Sequence, residues 1–188
     1  MTDQRHYDPN ESVIFRKVHD PFGSFSNMAP GFPLQIGNTK VKTSEALYQA
    51  LKFPNNPKAQ AEILQENSPL AAKMRSRFHE STGRPDWLAI RVGVMRWCLT
   101  VKLLQHESFG KLLLDTGDKS IVEHSERDQF WGANEGDDGL FHGTNCLGRL
   151  LMQLRQRVQT EIIDSVQPLP VKNFMLLDIP IETIYRTP

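Results

Sequence analysis

The pattern of this chain predicts a helix-rich fold of the α+β class with a few short strands. Capping residues placed before prolines and apolar stripes of helical spacing indicate most of the helices, whereas short β-branched runs indicate only a few strands. The 188 residues suffice for one domain with a real core, and 39% hydrophobic with 23% charged residues is typical of a water-soluble protein.

The first half of the chain is predicted to alternate short strands with capped helices. Thr43 is a good N-cap, and Asn56 and Ser68 each precede a proline at a first helical position. The predicted elements are a flexible polar leader over 1–12, a strand over 13–15, a hairpin over 32–41 around Gly37-Asn38, and helices over 44–53, 57–66 and 69–79.

The second half is predicted to contain the central helix and an extended tail. A wide apolar band over 86–106 indicates a long, largely buried helix. Further helices over 109–114 and 144–161 and a strand over 120–123 complete a domain predicted to span 13–162. Four prolines mark 163–188 as an extended C-terminal arm, whose apolar run Phe174–Leu177 could pack on its own domain or on a partner.

Charge and composition exclude several classes of function. No apolar run approaches the ~20 residues of a membrane span, and the N-terminus lacks the apolar stretch of a signal peptide. Cys98 and Cys146 lie in apolar helical patterns, which favours buried thiols in a reducing cytoplasm. A net charge of zero argues against a protein that depends on non-specific phosphate contacts.

The distribution of charge is more informative than its total. A basic segment over 68–102 and an acidic segment over 123–138 would suit a ligand with an anionic end and a reactive end, although solvated helix faces could produce the same pattern. The basic segment contains Lys73, Arg75, Arg77, Arg84, Arg91, Arg96 and Lys102 against Glu80 and Asp86.

The helix predicted over 44–53 has a divided surface. Leu47, Ala50 and Leu51 fall on one side at ~100° per residue. The other side carries a carboxylate, a phenol, an amide and an amine, namely Glu45, Tyr48, Gln49 and Lys52. Such a stripe could line a pocket, or it could merely face water.

The segment 123–132 also permits two interpretations. Ser125 and Asp128 are three residues apart, as in plain capping of a short turn. Asp128 and Trp131 have the same spacing, so a carboxylate and an indole could instead share the wall of a nucleobase site. The glycine-rich stretch that follows lacks Walker and Rossmann spacing, and no histidine or cysteine cluster predicts a metal or cofactor site.

Several motifs occur in order and together resemble the NADAR superfamily, the YbiA-like proteins. The resemblance covers roughly 13–160, and the family usually has a histidine after the helix glutamate where this chain has Ala46. The motifs are Pro21-Phe-Gly-Ser-Phe-Ser-Asn-Met28, Ser44-Glu-x-x-Tyr-Gln-Ala-x-Lys-Phe53, Ala72-Lys73, Arg84-Pro-Asp-Trp87, Met95, Lys102, Leu113-x-x-Thr-Gly117, Glu123-x-Ser-x-x-Asp-x-x-Trp-Gly132 and Gly143-x-Asn-x-Leu-Gly-x-Leu-Leu-Met152.

The resemblance implies a helix-rich α+β domain and an N-glycosidase that acts on a ribosyl C1′–N bond. Because the sequence has no ligand cluster and no dinucleotide fingerprint, we expect no metal or redox cofactor. Its substrates would be ADP-ribosylated guanine in nucleic acid or a phosphorylated ribosylaminopyrimidine of riboflavin synthesis. Glu45 would be the catalytic carboxylate, Lys52 a nucleophile that forms a Schiff base, and Asp128 the group that meets the leaving base or a ribose hydroxyl. The implied substrate-binding residues are Phe22, Gly23, Ser26, Asn27, Tyr48, Gln49, Lys73, Arg84, Trp87, Lys102, Glu123, Ser125, Trp131, Gly132 and Asn145.

Two other functions remain open on the sequence. A binding module could recognise ADP-ribose or a related nucleotide without cleaving it, but it would not need Glu45 and Lys52 on one helix face. A structural protein could dock on a partner through the arm, 163–188. Only the enzyme requires the carboxylate and the amine together.

Overall fold

The computed structural model describes residues 5–187 and has the predicted helix-rich α+β fold. The α-helices of this range are α1 Ser44–Ala50, α2 Pro57–Gln65, α3 Pro69–Phe78, α4 Trp87–Gln105, α5 Glu107–Asp115 and α6 Cys146–Thr160. The strands are β1 Arg5–Tyr7, β2 Ser12–Phe15, β3 Leu34–Ile36, β4 Thr39–Val41, β5 Ser120–Glu123, β6 Asn134–Glu135, β7 Phe141–Gly143, β8 Ser165–Val166, β9 Met175–Leu176, β10 Ile179–Pro180 and β11 Ile184–Tyr185.

Helix starts agree closely with the capping residues of the sequence. Thr43 Oγ1 accepts from Ala46 N, Asn56 Oδ1 from Ala59 N and Ser68 Oγ from Ala71 N. Each bond satisfies one of the backbone N–H groups that a helix start leaves without a partner. The first helix is shorter than predicted, because Leu51 closes α1 and Lys52 lies in the turn that follows.

The chain divides into two compact units, each assembled from two separate stretches. Unit one runs up to Ser26 and resumes over Glu107–Ile162, and unit two comprises Asn27–His106 together with the stretch from Ile163 onwards. In unit one, β2 and β5 form a parallel pair, and α6 makes its main contacts with β5 and α5. In unit two, α1 packs against α2, α3 and α4.

Residues 5–12 of the predicted leader contain regular secondary structure, and residues 1–4 lie outside the described residues. Arg5–Tyr7 forms β1 and pairs antiparallel with β7, and β6 lies on the other side of β7. Asp8 caps a turn of 3-10 helix over Pro9–Glu11. The sequence does not predict this strand, because the segment is polar and β1 buries only Tyr7. The strand is stabilised by pairing with β7, which is far away in the sequence.

The C-terminal arm packs on its own unit. Trp97 Nε1 donates to Gln167 O at 3.0 Å, and the Trp97 and Phe174 rings meet edge to face with their centroids 5.0 Å apart. Gln60 is fully buried and bonds the arm on both sides, with Nε2 donating to Met175 O and Oε1 accepting from Leu177 N. The arm is therefore part of the folded structure of unit two, and any contact with another protein stays a prediction.

We expect Phe174→Ala to lower the free energy of unfolding by about 3–5 kcal/mol, because it opens a cavity against Trp97. Tyr185→Ala, which truncates an exposed aromatic of the same arm, should change it by less than about 0.5 kcal/mol. Urea denaturation of both variants measures the difference. Equal and small effects would mean that the arm is detached in solution.

Both cysteines are free and buried, as the sequence predicts. No helix within residues 5–187 is long and apolar enough to cross a membrane.

Candidate active site

The polar stripe of α1 faces the protein interior. Glu45 is 6% exposed, Tyr48 5% and Gln49 2%, so the solvated interpretation of this stripe is wrong. Gln49 Nε2 donates to Glu45 Oε1 at 2.7 Å, and Gln49 Oε1 in turn accepts from Ser76 Oγ of α3 at 2.7 Å. The amide therefore fixes the direction of the carboxylate, and Ser76 fixes the amide.

Burial dominates the electrostatics of Glu45. Loss of hydration raises the pKa of its carboxyl, and the Gln49 hydrogen bond and the charges of Lys73 and Lys52 oppose this rise. The carboxylate makes no ion pair with any residue from 5 to 187. Glu45 also lies in the first turn of α1, where its own N–H donates to Asn27 O at 3.0 Å.

Lys52 is held by its backbone and surrounded by aromatic rings. Its N–H donates to Gln49 O, and its O accepts from Arg84 N at 2.8 Å. Its Nζ lies 5.4 Å from the Trp87 ring centroid and 5.9 Å from that of Tyr48. These two rings are in contact with each other, with their centroids 4.9 Å apart.

The pKa of the Lys52 amine is lowered, chiefly by loss of hydration. Glu45 and Glu80 raise it, whereas Lys73 and Arg77 lower it further. Burial outweighs the attraction of the nearby carboxylate, so a larger share of this amine is neutral than on an ordinary surface lysine. A neutral amine next to a buried carboxylate is what a nucleophilic lysine requires.

Arg84 lies beside this pair with its side chain already bonded. Its Nε and Nη2 donate to Asp86, and Nη2 also donates to Lys172 O of the arm. Its side chain is 4% exposed, and Nη1 is buried with no hydrogen-bond partner among the described residues. Arg84 therefore links the arm, through its guanidinium, to the turn that carries Lys52, through its backbone N–H. Its predicted contact with substrate stays a prediction.

Asn27 and Lys102 are also buried in unit two. The Asn27 Nδ2 contacts Met95 Sδ at 2.6 Å, and its Oδ1 is buried with no hydrogen-bond partner in the described part of the chain. An unpaired buried acceptor is costly and often marks a functional position. Lys102 is 1% exposed, and its Nζ lies 4.3 Å from the Phe32 ring centroid. Burial lowers the pKa of Lys102 to about 7.

In unit one, the predicted residues Phe22, Gly23 and Ser26 belong to a tight turn. The rings of Phe22 and Phe25 stack 5.8 Å apart, and Ser26 N donates to Gly23 O. A Cβ atom on Gly23 would collide with Lys17 O, so only glycine fits. This turn is therefore fixed by steric contact on one side and by aromatic packing on the other.

In the segment 123–132, the structure confirms that Ser125 and Asp128 cap a short turn. Ser125 Oγ accepts from Asp128 N, and Asp128 Oδ1 accepts from the N–H groups of Phe130 and Trp131. Gly132 lies so close to Glu123 O that a Cβ would meet it at 2.5 Å. Capping leaves Asp128 Oδ2 without a hydrogen bond inside the described chain, so a contact between this oxygen and a ligand stays a prediction.

Asn145 bonds the backbone of the strand that leads into this loop. It has left-handed backbone with φ 47°, is fully buried, and donates from Nδ2 to Ile121 O. Its Oδ1 accepts from Glu123 N. Both amide groups are therefore committed to the backbone of β5, and Asn145 places Glu123.

The structure thus groups the predicted residues into two sets, one in each unit. Unit two brings together Asn27, Glu45, Tyr48, Gln49, Lys52, Lys73, Arg84 and Trp87, with Lys102 buried at Phe32. Unit one brings together Glu123, Ser125, Asp128, Trp131, Gly132 and Asn145. Within residues 5–187, no group of three or more histidine, cysteine, aspartate or glutamate side chains could hold a metal ion.

The sequence did not single out Ser76, and it named Arg77 only as one member of the basic segment 68–102. Ser76 forms the end of the hydrogen-bonded series that reaches Glu45, and Arg77 acts on the pKa of Lys52. The spacing of Ala72 and Ser76, one turn apart, indicates a buried face of α3. No motif in the sequence indicates that this face meets Gln49.

Comparisons with known proteins show the family to which the chain belongs. The chain matches the NADAR domain model over residues 14–159. It is 35% identical over 157 residues to the N-glycosidase YbiA of Escherichia coli K12, which covers 84% of this chain and 94% of that protein. It is 34% identical over 150 residues to an N-glycosidase of Nostoc punctiforme, covering 79% of this chain and 93% of that protein.

A riboflavin biosynthesis protein of Vibrio vulnificus is 36% identical over 149 residues, which are 79% of this chain but 39% of the longer relative. The solved NMR structure of E. coli YbiA superimposes with a TM-score of 0.67 at 36% identity, covering 78% of this chain and 84% of that one. The family model, the relatives and the solved structure agree, and the chain belongs to the NADAR domain family, among relatives named as N-glycosidases.

Proposed function

We propose that this protein is an N-glycosidase that hydrolyses a ribosyl C1′–N bond of a nucleotide-type substrate. The observation that carries the proposal is the pair formed by Glu45 and Lys52. A buried carboxylate and an amine of lowered pKa lie on one short helix and the turn that follows it, and they make no ion pair with each other. A purely structural pair would be expected to neutralise its charges by direct contact.

The pair fits what cleavage of this bond demands. Positive charge develops on C1′ and negative charge on the leaving base, so a carboxylate has to face the first and a proton donor has to meet the second. Glu45 is the carboxylate, held by Gln49 against rotation. The roles that the resemblance implies for Asp128 at the leaving base and for Trp131 as its stacking partner stay predictions.

Lys52 is the nucleophile in this proposal. Its neutral amine attacks C1′, the bond from C1′ to the base nitrogen breaks, and the base leaves with a proton. Opening of the ribose ring then gives an imine between C1′ and Nζ. Water adds to this imine, releases the ribose as an aldehyde and restores the amine. Asn27 Oδ1, which has no partner within residues 5–187, is available to a ribose hydroxyl.

Two substrates fit this chemistry. One is guanine that carries ADP-ribose within a nucleic acid, and the other is a phosphorylated ribosylaminopyrimidine of riboflavin biosynthesis. The name of the Vibrio relative supports the second. The aromatic surroundings of Lys52 and the basic side chain of Lys73 suit the base and phosphate groups of either one.

The competing function is a module that binds ADP-ribose without cleaving it. Incubation of the purified protein with each substrate and chromatography of the products decides between them. We expect release of ADP-ribose or of the free pyrimidine by the wild type and none by Lys52→Ala. Tight binding with no product from either substrate would favour the binding module.

A further inference from the structure

Helix α3 presents three large apolar side chains to solvent. Leu70 is 58% exposed, Met74 52% and Phe78 77%. They are spaced four residues apart, so they form one stripe along α3. A contiguous apolar stripe of this kind usually marks a binding surface on a globular protein.

Basic side chains border this stripe. Lys73 and Arg77 lie one turn apart between the stripe and the buried residues Ala72 and Ser76. Neither side chain makes a hydrogen bond or an ion pair within residues 5–187. On the far border, Arg75 is paired with Glu66 and lies 5.7 Å from the Phe78 ring centroid. We call Leu70, Lys73, Met74, Arg77 and Phe78 the α3 surface.

The α3 surface continues into the candidate active site. Ser76, next to Arg77 in sequence, bonds Gln49 and through it Glu45. Lys73 is close enough to act on both Glu45 and Lys52, and Arg77 acts on Lys52. A substrate whose reacting sugar lies at Lys52 would therefore have its next groups over Lys73 and Arg77, and then over the apolar stripe.

We propose that the α3 surface binds the single-stranded nucleic acid that adjoins the modified nucleotide, with phosphates on Lys73 and Arg77 and an unstacked base on Phe78. This inference rests on the proposed function and selects the nucleic-acid substrate over the free metabolite. An exposed aromatic ring beside cations that are available to phosphate is the combination that single-strand binding proteins use. A free metabolite would end at the phosphate-binding side chains and leave the stripe without a use.

The charge of the surface favours nucleic acid over a protein partner. Helix α3 carries Lys73, Arg75 and Arg77 and no acidic residue, so the surface presents positive charge that complements phosphate. A contact with one or two nucleotides also agrees with the net charge of zero, because it needs few cations.

The test compares one modified guanosine, free and within a short oligonucleotide. For Phe78→Ala we expect kcat/KM on the oligonucleotide to fall about 5- to 150-fold, the usual effect of losing one base–aromatic stack, with no change on the free nucleoside. Arg77→Ala should reduce the slope of log affinity against log salt by about 0.7 on the oligonucleotide. Tyr185→Ala, a similarly exposed aromatic on the arm, should leave both substrates unchanged.

Binding of an unmodified single-stranded oligonucleotide, measured by fluorescence anisotropy, tests the surface independently of catalysis. Weaker binding by Phe78→Ala than by Tyr185→Ala supports the proposal even if neither substrate is cleaved. Equal effects of Phe78→Ala on both substrates, or no oligonucleotide binding by the wild type, overturn it while leaving the glycosidase intact. A self-association that Phe78→Ala abolishes, with oligonucleotide affinity unchanged, also overturns it and assigns the surface to a second copy of the chain.

Discussion

Lys52→Ala should abolish turnover while leaving ligand affinity within a few-fold of the wild type. The variant removes the amine that we propose attacks C1′, but it leaves the rings of Trp87 and Tyr48 and the carboxylate of Glu45 in place. Steady-state kinetics and calorimetric titration with the product measure the two quantities. Lys58→Ala, which truncates an exposed lysine of α2, is the matched control and should be fully active.

Reduction with borohydride during turnover should trap the sugar on Lys52. The decisive competitor is Lys102, whose pKa burial lowers to about 7. Lys102 is almost completely buried against Phe32, and burial is the sole cause of its shift, whereas Lys52 is also coupled to Glu45. Peptide mapping of the reduced adduct distinguishes them. An adduct on Lys102 would reassign the nucleophile.

The rate should fall as pH falls. Lys52 has to be neutral, and its lowered pKa extends the neutral form to lower pH than for an ordinary lysine. Glu45 has to be ionised, and its raised pKa makes it protonate above the usual 4.5. Both groups therefore lose their reactive form in acid, and a pH–rate profile should show a descending acid limb.

Glu45→Gln should lower kcat by about 10²–10⁴-fold, the usual effect of losing a positioned acid–base group. The amide is nearly isosteric and retains a neighbour in Gln49, but it cannot face the positive charge that develops on C1′. If Glu45→Gln is inactive while Lys52→Ala turns over and nothing is trapped, water attacks C1′ directly. That result would keep the glycosidase and discard the covalent intermediate.

The same variant should be at least as stable as the wild type. The folded-state pKa of Glu45 is raised, so its contribution to stability is full below its unfolded pKa and is lost as pH rises through the folded pKa. At neutral pH the buried charge therefore opposes folding, and the neutral amide of the variant removes that charge. Glu107→Gln, in the first turn of α5 and exposed, should change neither rate nor melting temperature appreciably. A large drop in the melting temperature of Glu45→Gln alone would contradict this account.

Local chemistry made the helices predictable. Thr43, Asn56 and Ser68 cap helices where the sequence places them, because a cap depends on residues within one turn. The strands β1 and β6–β11 were not predicted, because each pairs over only two or three residues, too few to give a periodic pattern in the sequence.

The site was predictable in composition but not in arrangement. The residue pattern placed Glu45 and Lys52 on one polar stripe, and the family resemblance implied their catalytic roles. Periodicity could not decide whether the stripe faces water or the interior. That depends on Ser76 and α3, which approach from another part of the sequence. The contacts of Arg84 and Asn145 could not be predicted either. Their side chains bond backbone groups of Lys172 and Ile121, and no sequence pattern connects these positions.

Arg84 connects the C-terminal arm, which lies beyond the match to the family model, with the turn that carries Lys52. The match to the family model ends at residue 159, but Arg84 donates from its side chain to Lys172 O and from its backbone to Lys52 O. Selection on the arm can therefore change how firmly Lys52 is held without altering any residue that defines the family. In the mechanism that we propose, substitutions in the arm of this protein would then change the rigidity of the nucleophile, and with it the rate, from outside the family domain.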